Sequence, residues 1–181
     1  MVEREEDFRF ESVRISALLM SISARTAPKS KGIDDIEIVY VSGDEKDEIA
    51  ERMIELASEK GEGWRRDGES VKKAEGILIV GVRGDRSLGV NCSACGFKDC
   101  SEFERCSKVD GEYKGPNCVF KILDLGIALG SAVKLASFLN VDNRIMYRIG
   151  VVARMLGIVK STVALGIPLA CTGKNPFFDR R

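Results

Sequence analysis

Apolar residues recur along the chain at two periods, one typical of helices and one typical of strands. In residues 8–26 the apolar side chains fall on one face at helical spacing, which predicts a helix that buries that face. The members of this face are Ile15, Leu18, Leu19 and Ile22. Residues 35–41 are rich in β-branched and aromatic side chains and predict a strand. Residues 45–60 predict a second helix, because Ile49 and Met53 share an inward face before a glycine stop.

The second half of the chain carries the more strongly apolar segments. Residues 77–82 are an unbroken apolar run, which favours a strand buried on both faces. Residues 118–139 and 143–156 have the pattern of helices, and residues 161–168 that of a last strand. These segments predict a mixture of helices and strands.

Between the predicted elements the pattern is weaker. Residues 62–74 are polar, and no helix or strand is assigned to them. Gly126 and Gly130 form a small face on the longest late helix, which predicts close helix packing in the core. The simplest arrangement is one α+β domain over residues 1–181 that carries a metal-binding insertion at residues 91–118.

The composition limits the function by what is missing. The 181 residues are 44% hydrophobic, which suits one domain with its own core. Lys plus Arg and Asp plus Glu both number 28, so no net charge draws the protein to nucleic acid or to a membrane. The absence of histidine excludes His-dependent catalytic triads, His-ligated zinc hydrolases and imidazole proton shuttles. A metal would therefore be held by sulfur or carboxylate.

The N-terminus and the apolar runs bear on localisation. The N-terminal segment is charged and lacks the apolar region of a secretory signal. No apolar run approaches the roughly 20 residues that cross a bilayer. We therefore expect a cytoplasmic protein with no membrane and no nucleic-acid partner. In that compartment clustered cysteines are metal ligands or redox groups more often than structural disulfides.

Five of the six cysteines are clustered, and four of them have the spacing of a thiolate metal site. Two residues separate Cys92 from Cys95, and four separate Cys95 from Cys100. Seventeen residues separate Cys100 from Cys118. Gly96 permits the positive φ that a tight turn after the first pair often requires. This spacing favours an iron–sulfur centre.

The fourth cysteine has a distinct local setting. The Gly-Pro-Asn run before Cys118 returns the chain to the site, and Asn117 is predicted to cap the helix that follows. Cys118 would then lie in the first helical turn. Free amide groups and the helix dipole favour a thiolate there.

Several alternatives stay open for this site, among them reduced cysteines that bind no metal and a regulatory disulfide that involves Cys106. Structural zinc also binds four thiolates, although zinc sites usually pair two C-x2-C knuckles and this chain has only one. Cys106, the fifth cysteine of the group, is the alternative to Cys118 as fourth ligand.

The cysteine spacing and its flanking residues resemble a known iron–sulfur module. CxxCGxxxCxxF followed by a further cysteine is similar to the 4Fe–4S module of corrinoid iron–sulfur proteins and of electron-transport-complex B subunits. Here the pattern runs from Cys92 to Phe103 and ends at Cys118. The resemblance implies one 4Fe–4S cluster bound by Cys92, Cys95, Cys100 and Cys118.

Over nearly its full length the chain resembles a family of archaeal and bacterial ferredoxin-domain-containing proteins. The matching segments are ARTAPKSKG (24–32), NCSACGF (91–97), GPNC (115–118), DLGIALGSAVKLA (124–136) and GIPLACTGKNPFFDR (166–180). Membership of this family implies an iron–sulfur segment and names no substrate.

A more distant resemblance is to nitroreductase-like flavoproteins. A basic segment after the first helix, the DLGIA helix and a late strand ending in GIP carry it. It implies a nitroreductase-like sheet with flanking helices, a homodimer, and FMN at the dimer interface. By position, the implied phosphate ligands are Arg25, Lys29, Lys31 and Lys174. A solvated basic loop is the alternative interpretation of residues 25–31.

Together these patterns predict an iron–sulfur redox protein. Its 4Fe–4S cluster would pass single electrons to a redox partner protein or to FMN-dependent reduction of a small-molecule substrate. In the second case the protein is a flavin-dependent oxidoreductase. The alternative is a non-enzymatic binding or assembly module in which a zinc ion or a cluster held by the cysteines only stabilises the fold.

Overall fold

The computed structural model describes residues 2–178. Its helices are α1 (Glu5–Thr26), α2 (Gly43–Glu55), α3 (Ala57–Lys60), α4 (Glu62–Lys72), α5 (Cys100–Arg105), α6 (Val119–Phe138) and α7 (Tyr147–Met155). Its strands are β1 (Ile36–Val41), β2 (Gly76–Val82), β3 (Val109–Asp110), β4 (Lys114–Gly115), β5 (Asp142–Asn143) and β6 (Val163–Ala170). Within residues 2–178 no helix has the length and apolar character needed to cross a membrane.

Four strands form one antiparallel sheet in the order β1-β2-β6-β5. β2 lies in the centre and pairs with β1 on one side and with β6 on the other. Every residue of β2 is buried, as its unbroken apolar run predicts. β3 and β4 form a separate hairpin within the cysteine-rich segment.

Helices cover both faces of the sheet, and the alternation of side chains along β2 divides the core in two. Ile77 and Ile79 lie in a core that includes residues of α2, α4 and α7. Leu78 and Val80 lie in a second core on the opposite face, with residues of α1 and α6. The period of two residues in a strand explains this division. The result is a helix–sheet–helix arrangement, and the α+β prediction is confirmed.

The buried face of α1 is not the predicted one. The side chains predicted to face inward are 40–59% exposed: Ile15, Leu18, Leu19 and Ile22. The residues that do face the core are fully buried: Val13, Ala17, Met20 and Ala24. Both sets have helical spacing, so periodicity alone does not choose between them. The second set contains two alanines, which let α1 lie close against α6.

The segment 62–74, to which the pattern assigns no element, contains α4. Trp64, Gly68 and Val71 are buried on its inner face at helical spacing. A methyl group added at Gly68 would lie 2.8 Å from the carbonyl oxygen of Ala50, so α4 packs directly on α2. Charged residues separate these positions, so the apolar stripe is narrow and the sequence pattern does not indicate a helix.

The glycine pair of α6 also differs from the prediction. Gly126 and Gly130 lie on the exposed face of the helix, and a methyl group added at either one would meet nothing within 4 Å. The prediction that these glycines pack closely inside the core is therefore wrong. They share this face with Ile122, Leu123 and Ile127, which are exposed as well.

The contact between α7 and β6 predicts a strong effect of a small substitution. A methyl group added at Gly150 would lie 1.6 Å from the carbonyl oxygen of Ala164, so Gly150→Ala forces α7 away from the sheet. We expect a loss of about 1–3 kcal/mol or more in the free energy of unfolding, measured by urea denaturation. Gly173→Ala is the control, because its methyl group meets nothing within 4 Å. Equal stability of the two variants would contradict the packing described here.

Candidate metal centre

The four cysteines in the predicted ligand set line one pocket. Cys92, Cys95 and Cys100 come from the segment that follows β2, and Cys118 comes from the residue before α6. Cys92 is exposed, Cys95 and Cys100 are half-buried, and Cys118 is buried. The pocket therefore has one open side, at Cys92, and a closed floor at Cys118.

Apolar side chains form the inner wall of this pocket. Leu88 and Phe103 are buried, and both line the pocket beside the cysteines. The ring of Phe97 packs edge-on against that of Phe103, with the ring centroids 5.6 Å apart. This wall limits the access of water to the inner sulfurs.

The turn after Cys92 has the backbone that the sequence predicts. Gly96 has a φ of 85°, as expected for the residue after the C-x2-C pair. Its N–H donates to the Ser93 carbonyl at 2.9 Å, and the Ser93 hydroxyl donates to the Lys98 carbonyl at 2.9 Å. Ser93 itself has a φ of 58°. Local hydrogen bonds thus bring Cys92 and Cys95 to the same side of a tight turn.

Cys100 is the first residue of the short helix α5, and the Asp99 side chain caps the start of this helix. The Asp99 carboxylate accepts the N–H of Glu102 at 2.8 Å, and the Glu102 carboxylate accepts the N–H of Lys98 at 2.7 Å. The pKa of the Cys100 thiol lies below its usual value, chiefly because the backbone N–H of Asn91 donates to the sulfur. A lower pKa makes the thiolate easier to form, and the thiolate is the form that binds metals.

The position of Cys118 differs by one residue from the prediction, and the role of Asn117 differs altogether. α6 begins at Val119, so Cys118 is the N-cap residue. The Asn117 side chain does not cap the helix: it donates to the Lys114 carbonyl at 2.8 Å and accepts the Thr162 hydroxyl at 2.8 Å. The tertiary contact with Thr162 outcompetes the local cap. Cys118 still lies at the positive end of the α6 dipole.

Cys106 does not line the pocket. Its thiol donates to the Phe103 carbonyl at 2.9 Å, and the ammonium group of Lys108 lies 3.8 Å from its sulfur. It follows α5 as the C-cap residue, whereas Cys100 lies at the start of that helix. Of the two alternatives for a fourth ligand, the structure brings Cys118 to the other three cysteines.

The four cysteines are the thiolate donors of this pocket. Within residues 2–178, no group of three or more Cys, Asp or Glu side chains is already arranged to hold a metal ion. Tetrahedral zinc needs four sulfurs about 2.3 Å from one point. In a 4Fe–4S cluster each cysteine binds a different iron. The shared pocket supplies four thiolates, which is the number that either group requires.

The far end of the cysteine-rich segment is fastened to the body of the protein by the β3–β4 hairpin. The Tyr113 hydroxyl donates to the Tyr147 carbonyl at 2.9 Å. Glu112 pairs with Lys60 at 2.7 Å and accepts the Tyr147 hydroxyl at 2.6 Å. Arg154 donates to the Glu112 carbonyl at 2.8 Å. These contacts join the hairpin to α3 and α7 just before the chain reaches Cys118.

The basic residues assigned to a flavin phosphate have other partners. Arg25 pairs with Asp34 at 2.7 Å and donates to the Ile36 carbonyl at 2.8 Å. The ammonium group of Lys29 donates to the carbonyls of Ala24, Arg25 and Ala27, and thereby closes the C-terminal end of α1. These two cations are committed to protein groups and do not form a prepared phosphate site.

The other two residues of that set lie in separate segments. Lys31 belongs to a 3-10 turn, Ser30–Gly32, where it has a φ of 54°. Lys174 follows β6, and its carbonyl accepts the Thr172 hydroxyl at 2.8 Å. The assignment of a flavin phosphate to these four residues stays a prediction, and we derive no chemistry through a flavin.

Two buried charges on α6 are absent from the sequence prediction of the site. Lys121 is fully buried and pairs with Asp35 at 2.8 Å. Asp124 accepts both the N–H and the hydroxyl of Ser30. These charges join the helix that carries Cys118 to the basic segment. A charged residue in an otherwise apolar helix is the signal that could have identified them.

Sequence relatives place the chain among known proteins. A family model described as "Uncharacterized protein containing a ferredoxin domain (DUF2148)" matches residues 114–180, a span that includes Cys118. An uncharacterized protein of Archaeoglobus fulgidus is 53% identical over 180 residues, which cover 99% of this chain and 98% of the relative. The chain belongs to this ferredoxin-domain family. The ferredoxin domain named in the family's description supports a redox role.

Solved structures with the same architecture are nitroreductases and related enzymes. A nitroreductase with bound FMN from Desulfitobacterium hafniense has a TM-score of 0.56 at 12% identity, with 99% of this chain and 85% of that chain covered. An NADPH:FMN oxidoreductase from Vibrio harveyi, complexed with NAD+, has a TM-score of 0.56 at 16% identity, with 92% and 63% covered. At these identities the likeness shows the nitroreductase fold.

The hairpin contacts of this ferredoxin-domain protein predict a pH-dependent stability. Lys60 and the Tyr147 hydroxyl lower the pKa of Glu112, so this interaction stabilises the fold above the unfolded pKa of about 4.3 and is lost as the pH falls through the folded pKa. We expect Glu112→Gln to lower the free energy of unfolding at pH 7 by less than about 1 kcal/mol, because the pair is partly exposed.

The measurement compares urea denaturation of wild type and variant at pH 7 and near pH 3. The difference should shrink at the lower pH, because the wild-type carboxyl takes up a proton as the pH falls through its folded pKa. Glu59→Gln is the matched control, since Glu59 is an exposed carboxylate on the neighbouring helix α3. A Glu112→Gln effect that stays constant with pH would contradict the role given to this carboxylate.

Proposed function

We propose that this chain is an iron–sulfur redox protein in which Cys92, Cys95, Cys100 and Cys118 hold one 4Fe–4S cluster. The observation that carries the proposal is the shared pocket of these four cysteines, from which Cys106 is excluded. The ferredoxin-domain description of the family supports the same chemistry. When bound, such a cluster supplies one-electron transfer.

The residues around the pocket have distinct tasks in this function. Leu88 and Phe103 keep water from the inner side, which protects a cluster and affects its potential. Cys118 lies at the positive end of α6, which stabilises the negative charge of the thiolates. Cys92 is exposed, so electrons from a partner would enter or leave on its side. The proposed role is therefore a relay with one open face.

The rival function is a binding or assembly module with structural zinc. It requires four sulfurs around one ion. We favour the cluster because the chain has one C-x2-C pair, whereas zinc sites usually have two. FMN-dependent reduction of a small substrate, suggested by the fold neighbours, is not part of the proposal, because Arg25 and Lys29 are engaged with protein groups.

The proposal also includes a homodimer, for which the outer faces of α1 and α6 are the reason. α6 is apolar on nearly all sides, and a helix of that kind is normally covered on all sides. Leu18 and Ile22 on α1 and Leu123 and Ile127 on α6 are exposed instead. The exposed glycines of α6 let a second helix approach closely. A second copy of the chain would cover both faces at once.

Anaerobic purification followed by metal analysis tests the cluster. We expect about four irons per chain with matching sulfide, and a broad visible absorbance that bleaches on reduction. One zinc per chain and no colour would contradict the proposal and favour the structural module.

The fourth ligand is tested by two serine variants of the same protein. Cys118→Ser removes a sulfur that lines the pocket, and we expect the four-iron content to be lost. Cys106→Ser is the matched control, since its sulfur bonds outside the pocket, and it should keep full iron content. The reverse result would assign the fourth ligand to Cys106.

The dimer is tested by a charge on the outer face of α6. Leu123→Glu would bury an unpaired carboxylate in the proposed interface, so we expect the dimer dissociation constant to rise by at least about tenfold in sedimentation experiments. Val109→Glu introduces the same charge at an exposed apolar residue of the β3–β4 hairpin and should leave the association unchanged. A wild-type monomer at high concentration would exclude the dimer.

A further inference from the structure

Asn91, the residue before Cys92, forms two hydrogen bonds with Cys100. The backbone N–H of Asn91 donates to the Cys100 sulfur, with 3.4 Å between the two atoms. In return, the Asn91 side-chain oxygen accepts the backbone N–H of Cys100 at 3.0 Å. One residue therefore holds this cysteine by both its sulfur and its backbone.

The backbone of Asn91 explains why it reaches both groups. Its φ is 51°, in the left-handed region that asparagine tolerates better than most other residues with a Cβ. Gly89 and Ser93 also have positive φ values, 71° and 58°. In this left-handed conformation the Asn91 N–H points toward the Cys100 sulfur.

The segment that contains Asn91 also lines the pocket. Ser87, Leu88 and Val90 lie beside the cysteines there, and the Ser87 hydroxyl donates to the Glu104 carboxylate at 2.5 Å. Asn91 is the residue whose side chain connects this segment to the start of α5. Since Asn91 is itself exposed, a change there leaves the two apolar cores intact.

We propose that Asn91 is the positioning residue for Cys100, which it holds in place as a cluster ligand while its N–H stabilises the negative charge on the sulfur. This inference rests on the proposed function. The two hydrogen bonds have two physical consequences. The side-chain bond keeps the ligand from swinging out of the pocket, so it slows metal loss. The bond to sulfur favours the more negative, reduced cluster, so it raises the midpoint potential.

Three substitutions separate the side-chain acceptor from the backbone conformation. Asn91→Ala removes the acceptor and disfavours the left-handed backbone. Asn91→Gly keeps that backbone but also removes the acceptor. Asn91→Asp keeps a side-chain acceptor and the left-handed backbone, and it adds a negative charge. Asn140→Ala is the matched control, because Asn140 has a φ of 54° at the end of α6.

The readouts are the rate of iron release to a chelator, the midpoint potential followed by EPR, and the melting temperature. For Asn91→Ala we expect iron release about 10- to 100-fold faster and a lower potential. Asn91→Gly should also release iron faster, whereas Asn91→Asp should release it at nearly the wild-type rate with a lowered potential. Asn140→Ala should match wild type in iron release and potential, even where its melting temperature falls.

Iron release and potential that are the same in Asn91→Ala and Asn140→Ala would overturn the role of Asn91. If Asn91→Ala fails to fold, the glycine and aspartate variants decide between the two consequences. A wild-type protein that binds zinc instead of iron would sink the cluster proposal alone, and zinc release from the same variants would then test Asn91. A wild-type protein that takes up neither metal would overturn both proposals.

Discussion

The start of α6 is hydrogen-bonded to the end of the central sheet, and the position of the metal centre depends on this junction. The N–H of Cys118 donates to the Gly84 carbonyl at 2.7 Å, just after β2. The N–H of Gly84 donates to the Thr162 hydroxyl at 2.8 Å, just before β6. A methyl group on Gly84 would lie 2.3 Å from the Asn117 side-chain oxygen, so this approach requires glycine. The sheet thus sets where the floor of the cysteine pocket lies.

Buried charge holds the other side of the same helix. The Lys121–Asp35 pair and the Asp124–Ser30 contacts lie within the first turns of α6 and reach the segment between α1 and β1. Removal of one partner of a buried pair leaves an uncompensated charge, which is strongly destabilising. These contacts fix the orientation of α6, and with it the face that points outward. The basic segment therefore has a structural role that its composition did not reveal.

Local sequence signals predicted the features that depend on neighbouring residues. The unbroken apolar run of β2 and the positive φ of Gly96 follow from side-chain chemistry over a few residues. Features that depend on distant partners were harder to predict. Asn117 makes its bond to Thr162, 45 positions along the chain, in place of the helix cap that its position favours. Arg25 likewise pairs with Asp34 and donates to the β1 backbone, contacts that the resemblance to nitroreductases did not indicate.

The sequence by itself determined the chemistry available to this ferredoxin-domain protein, because a cysteine-rich segment without histidine restricts a metal to sulfur or carboxylate ligands. It also determined that helices and strands alternate, since those periods are local. Only the tertiary structure decided which stripe of α1 is buried, because both stripes have helical spacing and contact with α6 and the sheet distinguishes them. Only the tertiary structure, likewise, shows that Cys118 and not Cys106 lines the pocket of the other three cysteines, because hydrogen bonds join the start of α6 to the sheet.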